Sequence, residues 1–164
     1  MNENFEQKRE NDTSRHTEQV RQLTRRYEDI SVKYLLHDCQ VTNVIFGDHS
    51  VELAFENGLY MRESKSFSDP TSLLITCSSS GALTNHLTIS AVRNAKLKDL
   101  TPQQAQAIVS TKSTEVIDVY FSAAEMSLLV GLYACDYGEL WLAVSEVTAL
   151  EIKNLDQPFV TIVE

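Results

Sequence analysis

The N-terminal part of the chain carries apolar residues at helical spacing. From about Ser14 onward they recur every three or four positions and form one stripe: Val20, Leu23, Tyr27, Ile30 and Tyr34. Residues 1–13 are polar, and we expect them to form a disordered tail. The arginines off the stripe should stay solvated or pair with acidic side chains: Arg15, Arg21, Arg25 and Arg26. The pattern predicts an amphipathic helix that packs on a sheet or on a second copy of the chain.

Residues 41–61 alternate between apolar and polar positions, which is typical of strands. Two strands joined by a four-residue loop place Phe46 opposite Val51, so that their apolar side chains share one face. The turn at 56–58 then leads into a third strand, with Phe55 opposite the first residue of that strand. The pattern therefore predicts a β-meander.

The middle of the chain alternates between strand and loop signals. Residues 73–76 and 86–90 are predicted strands, separated by a serine-rich loop. A helix then begins after Thr101, which is the N-cap, with Pro102 at the first helical position. We expect this second helix to end near Thr111.

The last third of the chain returns to strand-like alternation. A strand is predicted over 115–121, with Ile117, Val119 and Phe121 on its apolar side. A hairpin follows, and two more strands are predicted after it, over 147–153 and 159–163.

The predicted hairpin has two chemically different faces. A three-residue loop at 136–138 collects the large aliphatic side chains on one face: Leu128, Val130, Leu132, Leu140, Leu142 and Val144. The other face carries Tyr133, Glu139 and Trp141. We expect the aliphatic face to be buried.

These elements predict an α+β fold in a single domain over residues 14–164. We expect a mainly antiparallel sheet of six to eight strands, packed by the N-terminal amphipathic helix and the second, short helix. Residues 41–61 and 116–142 resemble each other, because each has alternating strands and an acid-x-Gly turn. Either an internal duplication or chance similarity in a β-rich chain explains this.

Negative charge is concentrated in the body of the protein. The 164-residue chain has a net charge of −9, while residues 1–33 hold seven acids and seven bases. From Thr114 to the end there are nine carboxylates and one lysine. Such a surface repels phosphates and attracts basic proteins, so we expect no direct binding of nucleic acid. The plainer alternative is that the charge only confers solubility.

Aromatic residues lie beside these carboxylates. Tyr133 and Trp141 share a hairpin face with Glu139, and aromatic residues at a polar surface are typical of interface hot spots. The alternative is that the N-terminal helix covers both rings. The candidate partner-binding residues are Asp118, Tyr133, Asp136, Tyr137, Glu139, Trp141, Glu146 and Glu151.

The cysteines indicate a reducing compartment, because they lie far apart and form no CxxC pair: Cys39, Cys77 and Cys135. Residues 1–12 lack the apolar core of a signal peptide. The most apolar stretch, 126–144, is interrupted by charged residues, so we expect a hairpin there and not a membrane span. We expect a cytoplasmic protein that does not bind membranes.

Catalytic and metal-binding motifs are incomplete in this sequence. The run 86–88, His-Leu-Thr, matches one of the two H-x-T elements with which two-histidine phosphoesterases supply a base and an acid. No histidine follows it in the chain. The runs 37–39 and 48–49 contain metal-ligand residue types without further ligands at a usable spacing. We therefore predict no catalytic residue, no metal and no cofactor.

The run VTNVIF…SVELAFENGL, within residues 41–61, resembles the opening meander of small bacterial immunity proteins of polymorphic-toxin and contact-dependent-inhibition systems. In those proteins a V-x-x-V-x-F strand precedes an alternating strand that ends in an acid or Asn before Gly. Residues 116–142 show the pattern more loosely. The resemblance implies a cytoplasmic acidic protein that binds one cognate toxin domain and blocks its active site.

The expected function is inhibition by binding. Carboxylates and aromatic residues of the region 115–151 would fill the basic groove of a nucleic-acid-acting partner, as in toxin immunity. A phage-type inhibitor of a host nucleic-acid-binding defence complex would use the same surface as a mimic of DNA. Two further alternatives are a small-ligand enzyme that uses His86, and a homodimer formed through the N-terminal stripe or the final strand.

Overall fold

The computed structural model describes residues 3–155, so the strand predicted over 159–163 lies outside the described residues. The helices are α1 (Glu3–Lys33), α2 (Pro102–Thr111) and one 3-10 turn (Leu83–Asn85). The strands are β1 (Tyr34–Leu35), β2 (Gln40–Val41), β3 (Asn43–Phe46), β4 (Ser50–Phe55), β5 (Tyr60–Met61), β6 (Ser66–Phe67), β7 (Thr71–Cys77), β8 (Leu87–Arg93), β9 (Lys96–Asp99), β10 (Thr114–Ser122), β11 (Ser127–Ala134), β12 (Gly138–Val144) and β13 (Val147–Asn154). The predicted α+β class with mainly antiparallel strands is confirmed.

The described strands form three sheets, whereas the sequence predicted one. Their strand orders are β2-β10-β11-β12-β8-β9, β13-β7-β4-β3 and β1-β5-β6. Apolar alternation determines which face of a strand is buried, but it does not determine the neighbour of that strand. Correctly predicted strands therefore do not determine the number of sheets.

The two larger sheets share one buried core. The hairpin of β11 and β12 pairs Leu128 with Val144 and Val130 with Leu142, and all of these side chains are buried. The aliphatic face predicted for this hairpin is therefore confirmed. Its three-residue loop spans 135–137, one residue earlier than predicted, because Ala134 and Gly138 still pair.

Helix α1 joins β10 of the six-stranded sheet to β13 of the four-stranded sheet. The ring of Tyr27 stacks on Phe121 with centroids 4.9 Å apart, and its hydroxyl donates to the Val119 carbonyl at 3.3 Å. On the other side, Arg26 Nε donates to the Leu150 carbonyl at 2.9 Å. The helix therefore satisfies backbone carbonyls of both sheets while it packs its apolar stripe between them.

Helix α1 begins earlier in the chain than predicted. Residues 4–19 are exposed, and the helix begins at Glu3. The helix therefore begins before the predicted start at Ser14 and includes residues 3–13 of the segment predicted as a disordered tail. Glu, Gln, Lys and Arg favour helix without any apolar face, so a search for apolar periodicity misses such a segment. Neither helix in the described residues combines the length and apolar composition needed to cross a membrane.

Helix α2 begins with the predicted cap. Thr101 Oγ1 accepts from the Gln104 backbone N–H at 3.2 Å, and the Gln104 side chain accepts from the Thr101 N–H at 2.9 Å. Pro102 occupies the first helical position, and the helix ends at Thr111 as predicted. It packs against β3, at the edge of the four-stranded sheet.

The chain after Gly58 does not return to β4, contrary to the predicted meander. The seven-residue β7 pairs with β4 instead and places Thr71 opposite Phe55, while the two-residue β5 pairs with β1 and β6. A long partner strand offers β4 more hydrogen bonds and buried side-chain pairs than a short one. Gly58, in the turn predicted at 56–58, has a left-handed conformation with φ of +78°. The segment 41–61 therefore differs in topology from β10–β12, which do form a meander.

A β-bulge changes which residues of β10 face the core. The register with β11 shifts between Val116 and Asp118, so Ile117 is the inserted residue. Val116 is buried where the sequence predicted Ile117, while Val119 and Phe121 pack against the core as predicted. The bulge thereby turns Asp118 to the side of the sheet that faces away from the core.

Candidate partner-binding face

The outer face of the six-stranded sheet is the side turned away from the core, and its residues align in rows across the strands. The first row is Glu115, Tyr133, Glu139, Val92 and Leu97. The second row is Asp118, Gly131, Trp141, Ser90 and Asp99. The third row is Tyr120, Leu129, Ala143 and Thr88. We call these three rows the aromatic–acidic face.

The aromatic–acidic face carries one sign of charge. None of the residues in its three rows is Lys, Arg or His, and its carboxylates are Glu115, Asp118, Glu139 and Asp99. Lys96 and Lys98 of β9 alternate with face residues and so belong to the opposite side of that strand. The face therefore favours a partner with positive charge.

Trp141 lies over the one glycine of the second row. A Cβ built on Gly131 would come within 2.6 Å of two carbons of the Trp141 six-membered ring. The indole therefore lies across the backbone of β11. A side chain at position 131 would push the indole away from the sheet. Its Nε1 donates to Glu139 Oε2 at 3.0 Å, which holds both side chains in place.

Tyr120 and Asp118 form a second aromatic–carboxylate pair on this face. The Tyr120 hydroxyl donates to Asp118 Oδ2, and the backbone N–H of Val119 donates to Asp118 Oδ1 at 2.9 Å. The hydrogen bond to Asp118, together with the negative charge of that group, raises the pKa of Tyr120 above its ordinary value of 10.0. The Tyr120 and Trp141 rings are nearly parallel, at 21°, with centroids 6.5 Å apart.

Two of the three aromatic rings are exposed, Tyr133 by 43% and Tyr120 by 54%, while Trp141 is half-buried. Leu97 at the edge of the face is 72% exposed. Helix α1 packs on β13 and β1, and it reaches β10 through Tyr27 on Phe121, which lies on the side of β10 opposite Tyr120. The alternative in which this helix covers Tyr133 and Trp141 is therefore wrong.

A cavity of about 470 Å³ adjoins the third row of the face. Its walls include Tyr120, Leu129 and Ala143 from that row and Phe121 and Leu128 beyond it. A partner side chain that extends past the third row would enter this largely apolar space, which is the usual setting of an interface anchor.

The structure brings together four of the eight predicted partner-binding residues: Asp118, Tyr133, Glu139 and Trp141. Asp136 and Tyr137 lie in the loop of the hairpin, next to the first row, where the Arg93 guanidinium sits 5.2 Å from the Tyr137 ring centroid. That contact places one positive charge at the border of the face.

Two predicted residues lie away from the face. Glu151 belongs to β13 of the four-stranded sheet, opposite Leu74. Glu146 follows β12, and one of its carboxylate oxygens is 3.5 Å from His86 Nδ1. Neither residue shares a row with Trp141, so the predicted set does not form one surface.

Three charged or aromatic residues of the face are not among the eight predicted partner-binding residues: Glu115, Tyr120 and Asp99. Asp99 is on the edge strand β9, which was not predicted, and it reaches the face only through pairing with Ser90. Tyr120 lies on the side of β10 opposite Val119 and Phe121, so the alternation of that strand was the available signal for it.

His86 is buried and is held by a hydrogen bond from one ring nitrogen. Its Nε2 lies 2.7 Å from the Ser80 carbonyl oxygen, which can only accept, so Nε2 carries the proton. Its Nδ1 faces Glu146 as described above. These contacts fix the serine-rich loop to the start of β8 and leave the imidazole engaged with the protein itself.

The remaining candidates from the sequence do not assemble into a metal site. Within the described part of the chain, no three His, Cys, Asp or Glu side chains converge in a way that could hold a metal ion. The three cysteines are free thiols, and Cys135 is exposed while Cys39 and Cys77 are buried. Burial raises the pKa of both buried thiols, which makes them poor nucleophiles.

Comparison with protein-family models, with curated proteins and with solved structures found no match to this chain.

Proposed function

We propose that this chain is a binding protein that inhibits a basic partner acting on nucleic acid, most simply a toxin against which it confers immunity. The observation that carries the proposal is the aromatic–acidic face, on which four carboxylates and three aromatic rings share one sheet surface without a basic residue. Aromatic residues supply the contact energy of an interface, and charge of one sign selects the partner.

The face suits a partner that binds phosphates. A nuclease or nucleic-acid-binding protein lines its groove with Lys and Arg, because neutralising phosphates needs positive charge. Carboxylates fixed on a rigid sheet would pair with those side chains, and the rings would cover the floor of the groove. The nucleic acid is then excluded because its binding site is occupied.

The same chemistry would serve an inhibitor of a host defence complex, since that target also binds nucleic acid. The identity of the captured partner separates the two roles. A small-ligand enzyme acting through His86 is the alternative outside the binding class. His86 lines the cavity beside the third row, but it is buried and its Nε2 is engaged by the Ser80 carbonyl, so this role has less support. We place the protein in the cytoplasm, where its free thiols would stay reduced.

The test is affinity capture from a lysate of the source cell with three matched baits. The first is the wild type, the second carries Glu115→Lys and Glu139→Lys on the face, and the third carries Glu28→Lys and Glu151→Lys away from it. The second and third baits have the same net charge. We expect the wild type and the third bait to capture one basic protein in equal amounts, and the second bait to lose it.

Each result has a distinct meaning. A single basic nuclease-like protein at one-to-one stoichiometry supports toxin immunity, and a multi-subunit nucleic-acid-binding complex supports the defence-inhibitor role. Equal loss with both charge-reversed baits would show that net charge, not this face, determines capture, and the proposal would then fail.

A further inference from the structure

The centre of the aromatic–acidic face carries two aromatic rings with nearly parallel planes. Trp141 lies across Gly131, and the ring of Tyr120 is nearly parallel to the indole, at 21°. Tyr120 is 54% exposed and Trp141 is half-buried, so both rings keep surface on which a planar group can stack. Two planar groups are common in partners of this kind, the nucleobase of a nucleic acid and the guanidinium of an arginine.

The charge around these rings decides between the two groups. A nucleobase brings its phosphate, and the three rows of the face offer no Lys or Arg to meet it. The carboxylates of Asp118 and Glu139 instead flank the rings and would repel a phosphate. A guanidinium is planar and positively charged, so it satisfies both the ring surface and the carboxylates.

The carboxylates are also positioned in advance. Glu139 is held by the indole N–H at 3.0 Å, and Asp118 is held by the Tyr120 hydroxyl and the Val119 N–H. An ionised carboxylate has about four acceptor sites, so each group keeps capacity for a further donor. Because the protein has already ordered them, an incoming arginine loses less free energy to side-chain ordering.

The geometry points to a receptor site for one arginine side chain of the basic partner, formed by Trp141, Tyr120, Asp118 and Glu139. This inference rests on the proposed function, since it names the group by which the partner is recognised. Arginine is selected over lysine because only the guanidinium can stack on a ring and donate hydrogen bonds from its edge at the same time. Lysine would pair with the carboxylates as a point charge without that stacking.

The chain supplies its own probe, because Trp141 is the only tryptophan in the sequence. The wild-type protein is titrated at low salt with an end-blocked tetra-arginine peptide, a matching tetra-lysine peptide and a DNA tetranucleotide, with Trp141 emission as the signal. We expect the arginine peptide to bind roughly two- to fivefold more tightly than the lysine peptide, and to change the emission more. Equal affinities, no arginine response, or tighter binding of the tetranucleotide would overturn the inference.

A pair of tyrosine variants tests the location of the site. Tyr120→Leu removes the ring beside Trp141, whereas Tyr133→Leu makes the same change in another row of the same face. We expect the arginine preference to disappear in the first variant and to persist in the second. Circular dichroism of both proteins checks that each is folded. Retention of the preference in Tyr120→Leu would overturn the assignment.

The inference can fail separately from the proposed function. If Tyr120→Leu and Trp141→Leu both bind the captured partner with wild-type affinity while the face double variant does not, the acidic face binds the partner without an arginine site. If neither set of changes affects capture, the proposed function itself fails.

Discussion

The indole of Trp141 occupies the space that a side chain at position 131 would fill. A Cβ on Gly131 would lie 2.6 Å from two ring carbons, which is closer than carbon atoms pack. The two residues are also direct partners in the pairing of β11 with β12. The absence of a side chain on one strand therefore determines how the largest aromatic residue of the neighbouring strand is presented to solvent.

Gly131→Ala should displace the indole without straining the backbone. Overpacking of this kind lowers stability by about 1–3 kcal/mol, with the lower end expected here because the ring borders solvent. The hydrogen bond from Trp141 Nε1 to Glu139 should be lost as well, so the fluorescence emission of Trp141 should change. The measurements are fluorescence spectra and urea unfolding. Gly47→Ala is the control, because its new methyl group meets only the movable hydroxyl of Ser50. An unchanged spectrum in Gly131→Ala would contradict the account.

The faces of β11 and β12 could be predicted from sequence, because the two-residue period of a strand is a local property. Tyr133 and Trp141 were placed correctly on the same side for that reason. Tyr120 also lies on the side opposite Val119 and Phe121, as alternation predicts, whereas the bulge places Val116 in the core instead of Ile117, which alternation does not predict. Alternation along a strand therefore predicts which side chains share a face, except at a β-bulge, where one inserted residue interrupts the pattern.

The grouping of strands into sheets could not be predicted in the same way. Glu151 follows closely after Trp141 in the chain, and acidic composition alone placed them in one surface. The chain changes sheet between β12 and β13, so these residues belong to different layers. Asp99 shows the opposite case, because distant sequence positions meet in the second row.

Binding to the captured partner should depend on salt and on the charge of the face. The double variant Glu115→Lys and Glu139→Lys should associate roughly tenfold more slowly at low salt, while Glu28→Lys with Glu151→Lys should keep a rate near the wild type. Surface plasmon resonance across ionic strengths measures this, since the screening length falls from about 30 Å at 0.01 M to about 3 Å at 1 M. An association rate that does not change with salt would exclude electrostatic steering.

Helix α1 should contribute to stability through its second half. Leu23 and Ile30 are buried, so Leu23→Ala should lower the free energy of unfolding by about 2–5 kcal/mol. Val32→Ala is the matched control, because Val32 is exposed and its loss should cost about 0.5 kcal/mol or less. Urea unfolding followed by circular dichroism gives both values. Equal destabilisation by the two changes would mean that the stripe does not pack as described.

Removal of residues 1–15 should leave the melting temperature close to that of the wild type, because this part of the helix is exposed wherever its side chains are described. Removal of residues 1–33 should abolish cooperative unfolding, since it deletes Leu23 and Ile30 from the core. The same pair of deletions bears on the homodimer alternative. Leu23, Ile30 and Tyr34 of the stripe are buried within their own chain, so light scattering should give the mass of a single chain for the wild type and for the protein without residues 1–15.

The Tyr120–Asp118 pair makes the face sensitive to alkaline pH. The hydrogen bond to Asp118 requires the neutral phenol, so the folded protein holds the pKa of Tyr120 above its ordinary value of 10.0. A folded pKa above the unfolded one means that the interaction stabilises the protein below that ordinary value and is lost as the pH rises through the folded pKa. Asp118→Asn should lower the pKa of Tyr120, whereas Glu115→Gln on the same face should not. Tyrosinate absorbance, taken as the difference between each protein and its Tyr120→Phe counterpart, isolates this one residue. A pKa of Tyr120 that is the same with Asp or Asn at position 118 would show that the carboxylate does not hold the phenol.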